Sequence, residues 1–370
     1  MTITCLIGNG FDLGLGLKTR YLDFLPWYLN RKSSKSDAVK WLCGQIENSK
    51  DSTWADAEMA FGRLPFSEAG EDVAEVVDKT LIDFQKDLAL YIGLQQNRLV
   101  VPADQRTDVR DKFVGSVVKT LYLDSKASAN SDLRFVLQRQ IPIEVNFISF
   151  NYTASLDKLL GGRASRGNFQ VPISAREKAF VSVSPICYVH GNLRDQNSLF
   201  GVDDACQITD PRARVHCETS GMLLKPKLDY LMDYGFEQQA KEMILKSNRI
   251  VCLGLSYGAS DVRWWECIYK ALSLNEGLRL LLSPYFKENQ SCASSAEQSL
   301  IARRVRNAFL GSVAEKMDAD VFDLPGVNSV RPRMVVMKHS PHIDFDGNVG
   351  HCDPFNLKWF GRKYVKDYGK

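Results

Sequence analysis

Two residues in this sequence carry side chains suited to moving a proton in a polar cleft, and each directly follows a strand-like run. Asn151 follows Glu144–Phe150 (EVNFISF), and His190 follows Val181–Val189 (VSVSPICYV). A side-chain amide has both donors and an acceptor, enough to fix a water or a hydroxyl. A neutral imidazole, with an unperturbed pKa near ~6.5, takes a proton at cellular pH. Two glycine turns accompany them. Thr2–Ile7 runs into Gly8-Asn9-Gly10 with Asp12 just beyond, and Arg249–Leu253 runs into Gly254, followed by Ser256, Gly258 and Asp261. A strand, a glycine turn and a helix are the parts of a nucleotide site. The glycines let the backbone approach a pyrophosphate, and the helix points free N–H groups at the anion. On this reading a side chain at Gly10 blocks the phosphates and leaves the fold intact.

Each residue also has a plainer reading. Gly8, Gly10 and Gly14 are spaced G-x-G-x-x-x-G, one residue longer than the dinucleotide fingerprint, and no second strand ends in an acid about 20 residues on. An ordinary strand-to-helix turn gives the same spacing. Asp12 repels a pyrophosphate, so it either caps the helix or accepts a hydrogen bond from a ribose hydroxyl. Asn151 suits a helix cap before Tyr152, His190 suits a buried ring satisfied by a backbone carbonyl, and Ser260 or Asp261 suits a cap on the next helix. The joint pattern is more specific than any one member. In an open parallel sheet, ligands bind at the carboxyl ends of the strands. If these strands are neighbours, Gly8, Asn9, Gly10, Asp12, Asn151, His190, Gly191, Gly254, Ser256 and Asp261 share one cleft.

The elements that position them alternate. The strands already named, together with Leu278–Leu282, lie between helical stretches at Thr153–Leu160, Tyr234–Lys246 and Asp261–Leu272, the pattern of a parallel sheet covered on both faces. From Arg31 to Gln140 the periodicity is helical, over Ser36–Ile46, Asp72–Leu94 and Asp108–Leu123. The expected organisation is a split Rossmann-like nucleotide-binding domain over 1–30 and 141–330, a helical insertion over 31–140, and a tail over 331–370 packed on the body. The tail holds a strand candidate, Arg333–Met337, and closes on KWFGRKYVKDYGK, which mixes five basic residues with four aromatics. That segment is expected to dock its aromatics on the body.

Bulk properties narrow the classes. In 370 residues, 45% are hydrophobic and 25% charged, the composition of an ordinary globular protein. A net charge of +3 does not indicate nucleic acid or a membrane surface. No apolar run approaches the ~20 residues that span a bilayer, and no signal-peptide pattern is present, so a cytoplasmic location is expected. The nine cysteines form no C-x-x-C pair. Cys5, Cys187 and Cys252 lie in apolar runs, as small buried hydrophobes of a reducing compartment do.

The motifs LIGNGFDLGLGLKTRYLDF, ISFNYT, YVHG, LFGVDD and LGLSYGASD, in this order from Leu6 to Asp261, resemble those of the AbiH family of bacterial abortive-infection proteins. That family in turn resembles the sirtuin-like superfamily, which binds NAD in a Rossmann-like domain. The resemblance implies a sirtuin-like Rossmann-type parallel sheet with a helical insertion domain. It implies catalytic roles for Asn151 and His190 at the nicotinamide ribose, with Gly8, Gly10 and Asp12 under the pyrophosphate and Gly254 and Ser256 on the rest of the dinucleotide. Protein-deacylating sirtuins carry a zinc ribbon of paired C-x-x-C motifs. This chain has none, so the resemblance points to the zinc-free members that hydrolyse NAD in phage defence, and no metal is expected. A constantly active NAD hydrolase kills its host. Control is therefore expected through a homo-oligomer, a defence-system partner or the helical insertion covering the cleft.

Two rival functions remain. One is a sensing module that binds a nucleotide in the same pocket without turnover. The other is a metal-dependent nuclease built on a C-terminal cluster. His339, His342 and His351 stand among Asp344, Asp346, Cys352 and Asp353, a set of ligand types that suits zinc without matching a known spacing.

Overall fold

The computed structural model describes residues 1–31, 35–50, 52–70, 72–124, 130–162, 167–173, 178–283, 295–337, 341–343, 349–351 and 357–366. Its centre is a sheet of eight strands: β1 (Thr2–Ile7), β2 (Ile143–Ser149), β3 (Gly167–Pro172), β4 (Lys178–Val183), β5 (Cys187–Tyr188), β6 (Arg249–Leu253), β7 (Arg279–Leu282) and β8 (Met334–Val336). The order is β3-β4-β2-β1-β6-β7-β8, with β5 also paired to β2. Every pairing is parallel except β3 on β4. A separate antiparallel pair, β9 (Pro341–Ile343) and β10 (Val349–His351), lies outside this sheet.

The chain builds outward from β1 on one side through β2 to β4 and β5, then crosses to the other side for β6, β7 and β8. This is the doubly wound Rossmann order, and its switch point falls between β1 and β6. The fold class expected from the sequence is thus the fold observed. Val181–Val189 is two strands rather than one. Pro185, which has no N–H to give a ladder, separates β4 from β5.

Period-two alternation sorts the strand residues between two layers. Ile3, Cys5 and Ile7 face one side with Val145, Phe147, Val251 and Leu253. Leu6, Ile148, Ile250 and Cys252 face the other. The first side is covered by α6 (Arg106–Asp124), α7 (Asn130–Gln138) and α8 (Ser155–Leu159), with Val109, Phe113, Val114 and Val117 of α6 packed on it. The second is covered by α11 (Phe236–Leu245), α12 (Val262–Leu274), α13 (Ser295–Lys316) and α14 (Val327–Val330), through Ile244, Trp264, Trp265 and Phe309.

A third core is mainly helical. It joins α2 (Tyr21–Leu29), α3 (Asp37–Asn48), α4 (Ala57–Gly62), α5 (Val73–Asn97) and α9 (Pro211–Ser220) around Phe24, Leu42, Phe61 and Phe84. The stretch 31–140 therefore serves two cores: α3, α4 and α5 build the helical one, while α6 and α7 cover the sheet. The helical core reaches the sheet through Tyr152, Phe200 and Val202, which pack in it. The remaining helices are α1 (Gly10–Gly14), α10 (Lys225–Leu231) and α15 (Leu357–Tyr364). In α15, Trp359, Phe360 and Tyr364 are buried against the sheet layer while Lys363 lies over the Trp359 ring. Among the described residues of the tail, these three aromatics thus dock on the body. Among the described residues, no helix is long and apolar enough to cross a membrane.

Candidate active site

The two glycine turns at the switch point pack on each other. Gly8 N–H donates to the Leu253 carbonyl and Gly10 N–H to the Gly254 carbonyl, both at 2.9 Å. A Cβ on Gly10 would lie 2.5 Å from Gly254 Cα, and one on Gly8 would lie 2.6 Å from the Gly254 carbonyl oxygen. Gly254 has a φ of 68°, a left-handed conformation that glycine alone takes at low cost. This corrects the expectation for Gly10. Its lack of a side chain is required by the β6 turn, and its N–H is spent there. The helix that follows, α1, has only five residues. Asn9 is exposed, and its amide donates to the Thr19 carbonyl at 3.0 Å.

Asn151 and Asp12 form a buried pair behind these turns. Asn151 Nδ2 donates to the Gly8 carbonyl at 3.1 Å and to Asp12 Oδ2 at 3.3 Å, and the Thr153 hydroxyl donates to the same Oδ2 at 2.7 Å. Asn151 does not cap α8, whose N-cap position is Ala154. Asp12 does not cap a helix either; it lies inside α1, and its Oδ1 is buried with no hydrogen-bond partner among the described residues. Burial pushes the Asp12 carboxyl up to about 6, against the opposing pull of the Thr153 hydroxyl.

His190 follows β5, which pairs with β2. Its Nδ1 is 3.1 Å from the Phe150 carbonyl, and its Nε2 is 2.8 Å from Asp261 Oδ1. Both ring nitrogens face oxygen acceptors, so only the doubly protonated ring donates to both. Gly191 follows with a φ of 64°, and a Cβ there would meet the Asn197 carbonyl oxygen at 1.9 Å. The loop after it is held by Leu199 N–H donating to the His190 carbonyl at 2.7 Å and by Asn192 Nδ2 donating to Asp195 at 3.0 Å.

Asp261 opens a network that the sequence motifs do not announce. Lys225 Nζ donates to Asp261 Oδ1 at 2.8 Å, to Glu58 Oε2 at 2.9 Å and to the Ser260 carbonyl at 2.6 Å. Its side chain is fully enclosed. Burial alone would push the Lys225 ammonium down, but Asp261, Glu58 and Asp203 together hold it above its usual range. Burial likewise would raise Asp261, but Lys225 and His190 hold it well below the usual carboxylate range. Glu58 sits in α4, and Tyr152 and Tyr21 both donate to its Oε1, at 2.6 and 3.4 Å. Asp56 caps α4 through the Met59 N–H at 3.1 Å, and its other oxygen receives the Ser260 hydroxyl at 3.1 Å. Asp203 is paired with Arg263 at 3.1 Å.

The structure therefore brings the expected residues into two adjoining groups. Gly8, Gly10, Asp12, Asn151 and Gly254 lie around the switch point, and His190, Gly191 and Asp261 lie beside them at the end of β5. Ser256 is exposed in the loop between Gly254 and Gly258. Glu58 and Lys225 were missed. They stand in none of the quoted motifs, whereas Tyr21, Tyr152, Asp203, Ser260 and Asp261 do.

The family model described as bacteriophage abortive infection AbiH matches residues 5–279. The chain belongs to the AbiH family. The match runs from β1 to the start of β7, so it contains both groups at the strand ends and the α4–Lys225 network. AbiH membership ties the chain to phage abortive infection. No curated protein matches it.

Two surface cavities of about 360 Å³ each include none of Asp12, Asn151 and His190 in their linings. One is lined by Tyr188, Asn192, Asp195 and Gln239, the other by Asp72, Arg212 and His216. Asn151, His190 and Asp12 are only 7%, 3% and 1% exposed, so their polar atoms meet protein rather than solvent. The C-terminal ligand-type cluster lies outside the described residues: His339, Asp344, Asp346, Cys352 and Asp353 are not described, and for His342 and His351 only the strand backbone is. Among the described residues, no group of three or more His, Cys, Asp or Glu is placed to hold a metal ion.

Proposed function

We propose that this AbiH protein is an abortive-infection effector that hydrolyses NAD+ to nicotinamide and ADP-ribose when triggered. The observation that carries this reading is the hydrogen bond from His190 Nδ1 to the Phe150 carbonyl. It fixes the imidazole beside Asn151, at the carboxyl ends of neighbouring strands next to a Rossmann switch point, where such folds hold nucleotides. In the reaction, the C–N bond between ribose and nicotinamide breaks and its electron pair neutralises the pyridinium nitrogen. Water adds at the ribose carbon and loses a proton. Asn151 would orient the water or a ribose hydroxyl, and His190 would receive the proton through Nε2 once that nitrogen is free. The Nδ1 bond to a backbone carbonyl suits this role, because it fixes which nitrogen is left to work. The sirtuin-like resemblance of the motifs supports NAD as the substrate. Incubating the purified chain with NAD+ and resolving nicotinamide and ADP-ribose by chromatography tests the reading directly. It fails if no trigger, including phage infection of expressing cells, produces nicotinamide.

The alternative is a module that binds a nucleotide without turnover. The engagement of both His190 nitrogens by protein oxygens favours it. Saturable NAD+ binding in the absence of any product would establish it instead.

A further inference from the structure

We propose that Lys225, anchored by Glu58 of α4, is a latch that keeps Asp261 seated on His190 and so holds the strand-end site silent. The proposal rests on the reading of that site as hydrolytic and assigns its regulation. Three features of the network carry it.

The first is what Asp261 occupies. Of the two acceptors on the His190 ring, the Phe150 carbonyl is backbone directly following β2 and cannot leave without disturbing the sheet. Asp261 is a side chain, 18% exposed against 4% for the His190 side chain, and it covers Nε2. Removing Asp261 from Nε2 is therefore the least disruptive way to free a nitrogen of this ring.

The second is how Lys225 is spent. An ammonium has three N–H donors. All three have oxygen partners: Glu58 Oε2, the Ser260 carbonyl and Asp261 Oδ1. Lys225 has no donor left for a phosphate or a carboxylate of a ligand. Its charge serves to fix Asp261, and it does so from a fully enclosed position where electrostatic attraction is strong.

The third is where the anchor comes from. Glu58 lies 167 residues from Lys225 in sequence, on a helix whose every residue is buried in the helical core. The same helix holds the loop before α12 through Asp56 and the Ser260 hydroxyl. It also holds the loop before α9, where Thr209 N–H donates to the Gly62 carbonyl at 2.8 Å. A shift of the helical core against the sheet withdraws Glu58 from Lys225, loosens Asp261 and exposes Nε2. An event at the helical core thus reaches the imidazole through three side chains, Glu58, Lys225 and Asp261, without passing through the sheet.

The test uses diethyl pyrocarbonate, which modifies unprotonated imidazole, on the full chain, with each of the five histidines followed by mass spectrometry. In the wild type, His190 should react more slowly than His216, whose Nδ1 has no hydrogen-bond partner among the described residues. Equal reactivity overturns the latch without any variant. Glu58→Gln keeps the size of the anchor and removes its charge. In that variant, the rate of His190 modification and the basal NAD+ consumption should each rise about tenfold, the usual scale of a coupling between two sites. A cooperatively folded Glu58→Gln protein with wild-type His190 reactivity overturns the latch. A rise in His190 reactivity with no NAD+ consumed leaves the latch standing and removes the hydrolytic reading.

Discussion

Gly10 and Gly254 occupy each other's side-chain space: a Cβ on Gly254 would lie 2.7 Å from Gly10 Cα, and a Cβ on Gly10 would lie 2.5 Å from Gly254 Cα. The glycine signature at the end of β1 thus records contact between two backbones at the switch point. Gly10→Val should lower stability by an amount on the order of 3 kcal/mol, because the branched side chain forces β1 and β6 apart. Urea denaturation measures it. A Gly10→Val protein as stable as wild type would mean the two turns are not in contact.

Asp12 should make stability depend on pH. Its carboxyl is pushed from 3.8 to about 6 by burial, so the folded chain binds a proton more tightly than the unfolded chain does. Its favourable contribution is complete below pH 3.8 and is lost as pH rises through 6. Asp12→Asn should therefore gain stability relative to wild type on going from pH 4 to pH 7.5, by about 2–3 kcal/mol. Thermal melts of both proteins across that range check the sign, and a difference independent of pH would contradict it.

Asn151→Ala and His190→Ala should each reduce triggered NAD+ cleavage by about 100-fold to 10,000-fold if they orient and accept the proton. Each also gives up buried hydrogen bonds, at a cost of about 1–3 kcal/mol. Measuring turnover well below the melting transition separates the two effects. Wild-type turnover in destabilised variants would assign both residues to structure alone.

Lys225→Met should be the most damaging single change in the network. It leaves Glu58 and Asp261 buried without their shared cation, which typically costs about 3–5 kcal/mol. Glu58→Gln should cost much less, since Lys225 still bonds the Ser260 carbonyl and, for most of the time, an Asp261 that is less firmly held. Chemical denaturation of the two variants side by side gives the order, and a reversed order would show that Glu58 rather than Lys225 is the hub.

The sheet was legible because β1, β2, β6 and β7 are short apolar runs buried on both faces, and such runs stand out between helical stretches. β3 was not read: GNFQVP lies at the sheet edge, alternates exposed with inward residues of which only Val171 is buried, and carries little apolar signal. α1 was not read because it is a single turn begun by a glycine. The strand-end residues were legible as a group, since each interrupts a strand. Glu58 and Lys225 were not, because a buried ion pair between distant elements leaves no local pattern. Glu58 lies in AEMAFG and Lys225 beside Pro226, and neither spacing names a partner. The role of Gly10 was misread for a related reason: a glycine reports that something comes close, and the sequence does not say what.

The central place of β1 also sets a timetable. Thr2 N–H is bonded to Asn248, 246 residues further along, and β1 has its two neighbours only when β2 and β6 are both present. At ribosomal speeds of roughly 5–20 residues per second, β1 waits on the order of 10–50 s for its second neighbour. Lys225 and Asp261 emerge within the same late window. A nascent chain therefore carries β1 with one edge open from the emergence of β2 until β6 follows, and cannot assemble the strand-end groups until Asp261 has been made. On the proposed NAD+-hydrolysing function, interrupted translation yields fragments that lack the complete strand-end groups and so spare the cell that makes them.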